Sequence, residues 1–274
     1  MRRDSPPPDR DGARDRAAGA AALFDLTGCQ ALVTGGGTGI GRALASALLD
    51  AGANVTICGR RADPLEDAVA ALGERGEIRA VRCDVTSEAD VQRLVAAVGA
   101  VDILVNNAGY ARPEAWDDVT LEQWRDVMSV NVEGPMRLCQ LLMPAMMRRG
   151  WGRVVNVASL YATLAGDPAR YPGRGIDIAS YVASKHAVLG LTRHLAVVGG
   201  PAGVTVNALS PGMLPGTQDP PMSPEVVAAL AAGAPVGRVG VEDDMRSALL
   251  FLASRESGFV TGQNVVVDGG WSVW

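Results

Sequence analysis

The sequence predicts an α/β fold: a doubly wound parallel sheet of about seven strands with helices on both faces, built as a single domain. Three observations predict it. From Leu26 onward, short β-rich runs alternate with helical stretches. The strand runs are apolar on both faces, as a sheet covered on both sides requires. Hydrophobic residues make up 48% of the 274 residues, enough for one sizeable core, and no linker-like stretch divides the middle. Aromatics are only 4%, so that core is built from Ala, Val, Leu and Ile.

The elements follow in order. Strand-like runs fall at Ala31–Thr34, Asn54–Cys58, Ile78–Arg82, Ile103–Asn106, Arg153–Val157, Val204–Leu209 and Asn264–Val267. Between them the pattern predicts helices over Ile40–Asp50, Pro64–Leu72, Glu88–Ala97, Leu121–Met147, Tyr181–Val197 and Glu242–Ala253. Asp63-Pro64-Leu65-Glu66 reads as an N-cap, a proline at the first helical position and a capping-box acid. Thr120-Leu-Glu-Gln123 reads as a second capping box. Strands alternating with helices pair in parallel through right-handed crossovers. Met1–Ala22, with five Arg, four Asp and Pro6–Pro8, predicts a disordered extension ahead of a domain over 23–274. It has no apolar signal core, and its aspartates speak against a transit peptide.

Composition excludes several classes. A net charge of −5 and no basic stripe with interleaved aromatics argue against a nucleic-acid partner. No apolar run reaches the length of about 18 residues that a membrane span needs. Cys29, Cys58, Cys83 and Cys139 are widely separated, which suits reduced buried thiols in a cytoplasmic protein rather than disulfides or a metal site. His186 and His194 lack an acidic partner at ligand spacing, so no metal role falls to them.

Glycines mark the first candidate site. Thr34-Gly35-Gly36-Gly37-Thr38-Gly39-Ile40-Gly41 follows the first strand and opens the first helix. A turn poor in side chains at a helix N-terminus presents backbone N–H groups and a positive dipole end to a phosphate. The second strand ends Ile57-Cys58-Gly59-Arg60-Arg61, with no acid before Asp63. A free ribose 2′-hydroxyl usually meets an acid here and a 2′-phosphate favours arginine, so NADP(H) is favoured over NAD(H); the alternative is two solvated arginines. Asp84 and Val85 follow the third strand, where Asp84 could accept from an adenine amino group or serve the next helix as a turn residue. Asn106-Asn107-Ala108-Gly109 closes the fourth strand and should face the same cleft.

The second site centres on Tyr181-Val-Ala-Ser-Lys185. Lys185 is the only lysine beside 24 arginines, and a helix puts it on the same face as the Tyr181 phenol. A free tyrosine has a pKa of about 10, too high to share a proton easily near neutrality. An ammonium about 4 Å away at an effective dielectric near 20 would favour the phenolate by up to about 4 kcal/mol.

Taken in order, these motifs resemble the short-chain dehydrogenase/reductase family in its single-domain, Rossmann-type branch. The likeness runs from Leu26 to Trp271. It rests on T-G-G-G-T-G-I-G, N-N-A-G, Asn131 in Ser-Val-Asn-Val-Glu-Gly, Ser159 after Val-Val-Asn-Val-Ala, Tyr181-x-x-x-Lys185, Pro211-Gly212 and Thr261-Gly-Gln-Asn-Val-Val-Val-Asp-Gly-Gly. The resemblance implies an oxidoreductase that interconverts a carbonyl and a secondary alcohol. It implies Tyr181 as general acid/base, Lys185 as its activator and a ribose ligand, Ser159 as partner of the substrate oxygen and Asn131 as anchor of a water relay. Gly35, Gly37, Thr38, Gly39, Ile40, Gly41, Arg60, Arg61, Asp84, Val85, Asn107, Ala108, Gly109, Pro211 and Gly212 would then line the cofactor. An NAD-dependent sugar or polyol dehydrogenase on the same scaffold, or a non-catalytic dinucleotide sensor, are the rivals. A homodimer or homotetramer is the expected assembly.

Two stretches set this chain apart. Ser159 and Tyr181 stand 22 positions apart, wider than the family's usual gap, with a turn-rich insertion at about 165–176. It is expected to wall the substrate pocket through Arg170, Tyr171 or Arg174, or else to bulge into solvent. Residues 213–235, with Met213, Leu214 and Met222, take the place of the substrate lid and suggest a small neutral or moderately hydrophobic substrate.

Overall fold

A computed structural model describes residues 19–113, 115–166, 177–217 and 222–273. Most of the N-terminal extension and the insertion residues Arg170, Tyr171 and Arg174 lie outside the described residues. The first element among the described residues is Ala20–Phe24, a short 3-10 helix.

Seven strands form one sheet: β1 (Gln30–Thr34), β2 (Asn54–Gly59), β3 (Ile78–Arg82), β4 (Ile103–Asn106), β5 (Gly152–Val157), β6 (Val204–Pro211) and β7 (Asn264–Val267). Their order is β3-β2-β1-β4-β5-β6-β7, and every pairing is parallel. The helices are α1 (Gly39–Asp50), α2 (Ala62–Leu72), α3 (Glu88–Val98), α4 (Leu121–Met128), α5 (Gly134–Arg149), α6 (Ala179–Gly199), α7 (Pro224–Ala232) and α8 (Arg246–Ala253). Alternation along each strand feeds two cores. Ala31 and Val33 of β1 pack with Leu44, Leu65 and Leu249 of α1, α2 and α8. Leu32 between them packs with Leu94, Leu142 and Ala196 of α3, α5 and α6. This is the doubly wound single-domain sheet that the sequence predicts.

Three expectations need correction. The helix expected over Leu121–Met147 is broken by a π turn at Ser129–Glu133. The cause is tertiary: buried Asn131 sits in that turn, and its amide is held by the main chain of Tyr110. The second helix begins at Ala62 with Arg61 as N-cap, so Asp63 is a first-turn acid rather than the cap. Pro64 remains tolerable because first-turn N–H groups have no intrahelical partner. The last expected helix opens as a 3-10 turn, Glu242–Met245, before α8. The Thr120–Gln123 capping box is present in both directions.

The strand order reverses beside β1, which pairs β2 on one side and β4 on the other. Ligands of open α/β sheets bind beyond the strand ends at such a reversal. One hydroxyl holds the two lips of that cleft together. Thr34 Oγ1, at the end of β1, accepts from the N–H groups of Asn107 and Ala108 just past β4, each at 2.9 Å. Asn107 Nδ2 returns a bond to Thr34 O at 2.9 Å.

Replacing Thr34 with valine keeps the shape but leaves two buried donors unpaired. The variant is expected to lose about 2–4 kcal/mol in denaturant unfolding, while Thr34→Ser stays within about 1 kcal/mol of wild type.

Candidate active site

The glycine turn is shaped by what a side chain would strike. Gly35 and Gly39 hold φ of +65° and +50°, open to glycine at no steric cost. A Cβ on Gly41 would lie 2.1 Å from Gly35 O, and one on Gly37 would lie 3.0 Å from Pro64 O. The turn is therefore bare backbone, packed between the start of α1 and the first turn of α2. With Thr38 as N-cap making no side-chain cap bond, the first N–H groups of α1 are left for a ligand. These features fit a dinucleotide pyrophosphate.

The other predicted cofactor residues gather on the same rim. Arg60 and Arg61 are exposed past β2, and neither is ion-paired among the described residues. Asp84 does serve the turn into α3: its Oδ1 accepts from the Thr86 N–H at 2.9 Å and the Thr86 hydroxyl at 2.7 Å. Val85 beside it is buried against Gly134. Gly109 ties this rim to the second site, since a Cβ there would meet Asn131 Oδ1 at 3.0 Å and Lys185 Nζ at 3.5 Å. Pro211 ends β6, and Gly212 is pressed onto Asp268, where a Cβ would stand 2.5 Å from its Cα.

The structure brings Asn131, Ser159, Tyr181 and Lys185 together. Ser159 ends the extended run after β5 and accepts from the Tyr161 N–H at 3.2 Å. Tyr181 and Lys185 project from the first turns of α6, with Lys185 Nζ 5.5 Å from the centre of the phenol ring. Lys185 is 4% exposed, and its ammonium donates to Val157 O at 2.8 Å. Asn131 Nδ2 donates to Ser184 Oγ at 2.9 Å, and Ser184 Oγ donates to Tyr181 O at 2.7 Å.

The electrostatics differ from the expectation of a phenol depressed by its lysine. Burial pushes the Tyr181 pKa up, and a hydrogen bond with Ser159 offsets this only in part. Burial likewise lowers Lys185 to about 8. Desolvation outweighs the attraction because the ammonium sits against the Val157 carbonyl rather than on the phenol oxygen.

Residues not singled out from the sequence complete the site. Thr34, Tyr110, Val157 and Ser184 act through hydroxyl or main-chain bonds; Thr34, Val157 and Ser184 lie inside motifs noted in the sequence, which mark their positions but not these bonds. Tyr161 and Ile178, with Leu164, Met213, Met222 and Val226 beside them, form an apolar cluster with Tyr181. These come from the flanks of the insertion and from the lid. Asp177, on the return flank, accepts from the Trp116 N–H at 2.6 Å.

A parallel sheet with a bare phosphate turn at its reversal, beside a buried tyrosine–lysine pair, defines an NAD(P)-dependent oxidoreductase. Residues 35–272 match the family model described as enoyl-(acyl carrier protein) reductase. The chain belongs to the short-chain dehydrogenase/reductase family. It is 37% identical over 258 residues to gluconate 5-dehydrogenase of Gluconobacter oxydans, covering 92% of this chain and 97% of the relative. It is 36% identical over 260 residues to D-threitol dehydrogenase of Mycolicibacterium smegmatis, covering 91% and 95%. Among solved structures, a gluconate 5-dehydrogenase from Burkholderia cenocepacia in complex with NADP and tartrate superposes with a TM-score of 0.83 at 34% identity, covering 93% and 99%.

A lysine whose folded pKa is about 8 costs stability at pH below its ordinary value of 10.5, because the unfolded chain holds its proton more tightly. Lys185→Met is therefore expected to stabilise the fold at pH 7 by about 1–3 kcal/mol, after loss of the Val157 bond. The gain should fade as pH rises from about 8 past 10.5, where neither state charges the lysine. Denaturant unfolding at pH 7 and at high pH measures both.

Proposed function

We propose that this protein is an NADP(H)-preferring oxidoreductase that interconverts a ketone and a secondary alcohol, with Tyr181 as the general acid/base. The observation that carries the reading is the convergence of Asn131, Ser159, Tyr181 and Lys185 beside a glycine turn that no side chain could enter.

A nicotinamide held in this cleft would supply or accept the hydride. The residues of the chain manage the proton and the oxygen. Tyr181, held neutral by burial, is suited to donate its phenolic proton to a carbonyl oxygen as negative charge grows there. Ser159, hydrogen-bonded to the phenol, holds that oxygen in line. Lys185, close to half-charged near pH 8, stabilises the phenolate that donation leaves behind. Asn131 braces the loop at Tyr110 against α6 through Ser184, and its π turn keeps that amide aimed inward. Gly35, Gly37, Thr38, Gly39, Ile40 and Gly41 would hold the pyrophosphate. Asn107, Ala108, Gly109, Pro211 and Gly212 would line the cleft, and Asp84 and Val85 its adenine end.

Preference for the 2′-phosphate rests on Arg60 and Arg61, two exposed guanidinium groups where an acid would serve a free ribose. The NADP complex of the Burkholderia cenocepacia relative supports it. The apolar cluster around Tyr181 favours a substrate with a hydrophobic flank next to its carbonyl. A sugar or polyol substrate is the second reading, favoured by the names of the gluconate and threitol relatives. We place the protein in the cytoplasm, since its four cysteines are free and buried. We expect a homodimer or homotetramer, because Met136 of α5, Val197 and Val198 of α6, Phe251 of α8 and Phe259 all remain exposed.

An NADPH-oxidation panel of aliphatic and aryl ketones, 3-oxoacyl esters and keto-sugars tests the reading. Tyr181→Phe should lower kcat by about 10²–10⁴-fold without changing the affinity for NADPH. The exchange Arg60→Ala with Arg61→Ala should raise KM for NADPH about tenfold or more and leave NADH unaffected. Turnover retained in the phenylalanine variant, or an unchanged cofactor ratio in the arginine variant, would overturn the respective assignment.

A further inference from the structure

We propose that Arg82, at the end of β3, is a third determinant of cofactor choice: its guanidinium completes, with Arg60 and Arg61, a cationic pocket for the 2′-phosphate of the adenosine half. The proposal rests on the NADP(H) reading above and extends it to a residue on a different strand.

The sheet register brings Arg82 there. β2 and β3 pair in parallel with Gly59 opposite Arg82, so the last residue of β3 lies beside the turn that carries Arg60. Two bonds fasten the strand ends to each other. The Cys83 N–H donates to Gly59 O at 2.9 Å, and Arg82 Nε donates to Arg60 O at 2.9 Å. The second bond fixes the guanidinium plane by its inner nitrogen and leaves the two outer nitrogens pointing away from that bond.

Charge bookkeeping at this corner is one-sided. Arg60, Arg61 and Arg82 are all exposed, and among the described residues none of the three is ion-paired. Other arginines of the chain behave differently. Arg75 and Arg246 both pair with Asp50, and Arg93 pairs with Asp90. Arg79, two positions before Arg82 on β3, spends its guanidinium on Thr56 Oγ1 and on Ala97 O at the end of α3. Asp63, the nearest acid to Arg61 along the chain, and Asp84, the nearest to Arg82, form no ion pair with any of the three among the described residues.

The corner also adjoins the phosphate turn. Gly37 packs onto Pro64 and Leu65 in the first turn of α2, and Arg61 is the N-cap of that helix. A dianionic phosphate on the ribose 2′-oxygen would meet three forked donors there, each able to form paired N–H···O bonds. A free 2′-hydroxyl offers no charge to answer them. Arg82 thus discriminates between the two dinucleotides through the same phosphate, while contributing little to a ligand that lacks it.

Calorimetric titration with adenosine 2′,5′-bisphosphate and with adenosine 5′-monophosphate tests this without turnover. Arg82→Gln is expected to weaken the bisphosphate about tenfold and leave the monophosphate within about twofold. Arg82→Lys, which keeps the charge, should lose less than Arg82→Gln. Equal losses in the two variants, or equal weakening of both ligands in Arg82→Gln, would overturn the proposal. If Arg82→Gln binds both ligands as wild type while the paired change Arg60→Ala with Arg61→Ala loses discrimination, Arg82 lies outside the pocket and the NADP(H) reading stands. If neither variant changes discrimination, both readings fall.

Discussion

The site depends on a positive charge buried without a counter-charge. Lys185 is 4% exposed, and among the described residues its ammonium donates to the carbonyl of Val157 and is paired with no carboxylate. Such a cation is expensive to keep, which is why its pKa falls to about 8. The same burial raises Tyr181. Both members of the pair are pushed toward their neutral forms, and their pKa values move apart: the phenol goes up while the ammonium comes down to about 8. Desolvation therefore keeps the phenol protonated as a donor, and the ammonium does not ionise it outright.

Keeping such a pair in place requires a rigid frame, and the frame is polar. Asn106 Nδ2 donates to Asn156 Oδ1 at 2.8 Å, Asn156 Nδ2 donates to Thr192 Oγ1 at 2.9 Å, and Thr192 donates to Val188 O at 2.8 Å. This buried chain runs from β4 through β5 to α6, the helix that carries Tyr181 and Lys185. From the other side, Asn131 links the Tyr110 loop to Ser184 on that helix. Buried hydrogen bonds fix orientation more sharply than apolar packing, because slippage would leave further polar atoms unpaired beside Asn106 Oδ1, which has no partner among the described residues. The π turn at Ser129–Glu133 belongs to this frame.

Periodicity made the sheet and most helices legible in the sequence, because β1 to β7 and α1 to α8 obey their local patterns. Ile78–Arg82, Ile103–Asn106 and Asn264–Val267 coincide with observed strands. The glycine turn and the tyrosine–lysine spacing were legible for the same reason: both are local. What stayed hidden is tertiary. An apolar pattern continuous through Leu121–Met147 says nothing of a π turn set by a bond to Tyr110. Thr34 reads as an ordinary strand residue until Asn107 and Ala108 arrive from 73 and 74 positions away. Arg82 looks like one arginine among 24 until the register sets it beside Arg60. The phenol's pKa was misjudged because charge separation can be guessed from spacing, whereas desolvation needs the packed protein.

The single lysine gains its meaning from a second buried cation. Arg153 is 2% exposed and also lacks a carboxylate among its partners. It donates to the carbonyls of Ser254, Gly152 and Arg255 at 3.0, 3.0 and 3.1 Å, and stacks on Trp151 at 4.7 Å. Burial lowers it to about 10, a drop comparable to that of Lys185. The consequences differ because the starting values differ. Arg153 stays cationic throughout the neutral range and serves as a fixed brace at the end of α8. Lys185, dropped by a similar amount, arrives close enough to neutrality to respond to a neighbouring phenolate or phosphate. An arginine at 185 would remain charged whatever happened beside it, and its planar fork could not reach the same carbonyl as a point charge. A chain that uses arginine wherever permanent charge suffices keeps lysine at the one position where proton affinity must be movable.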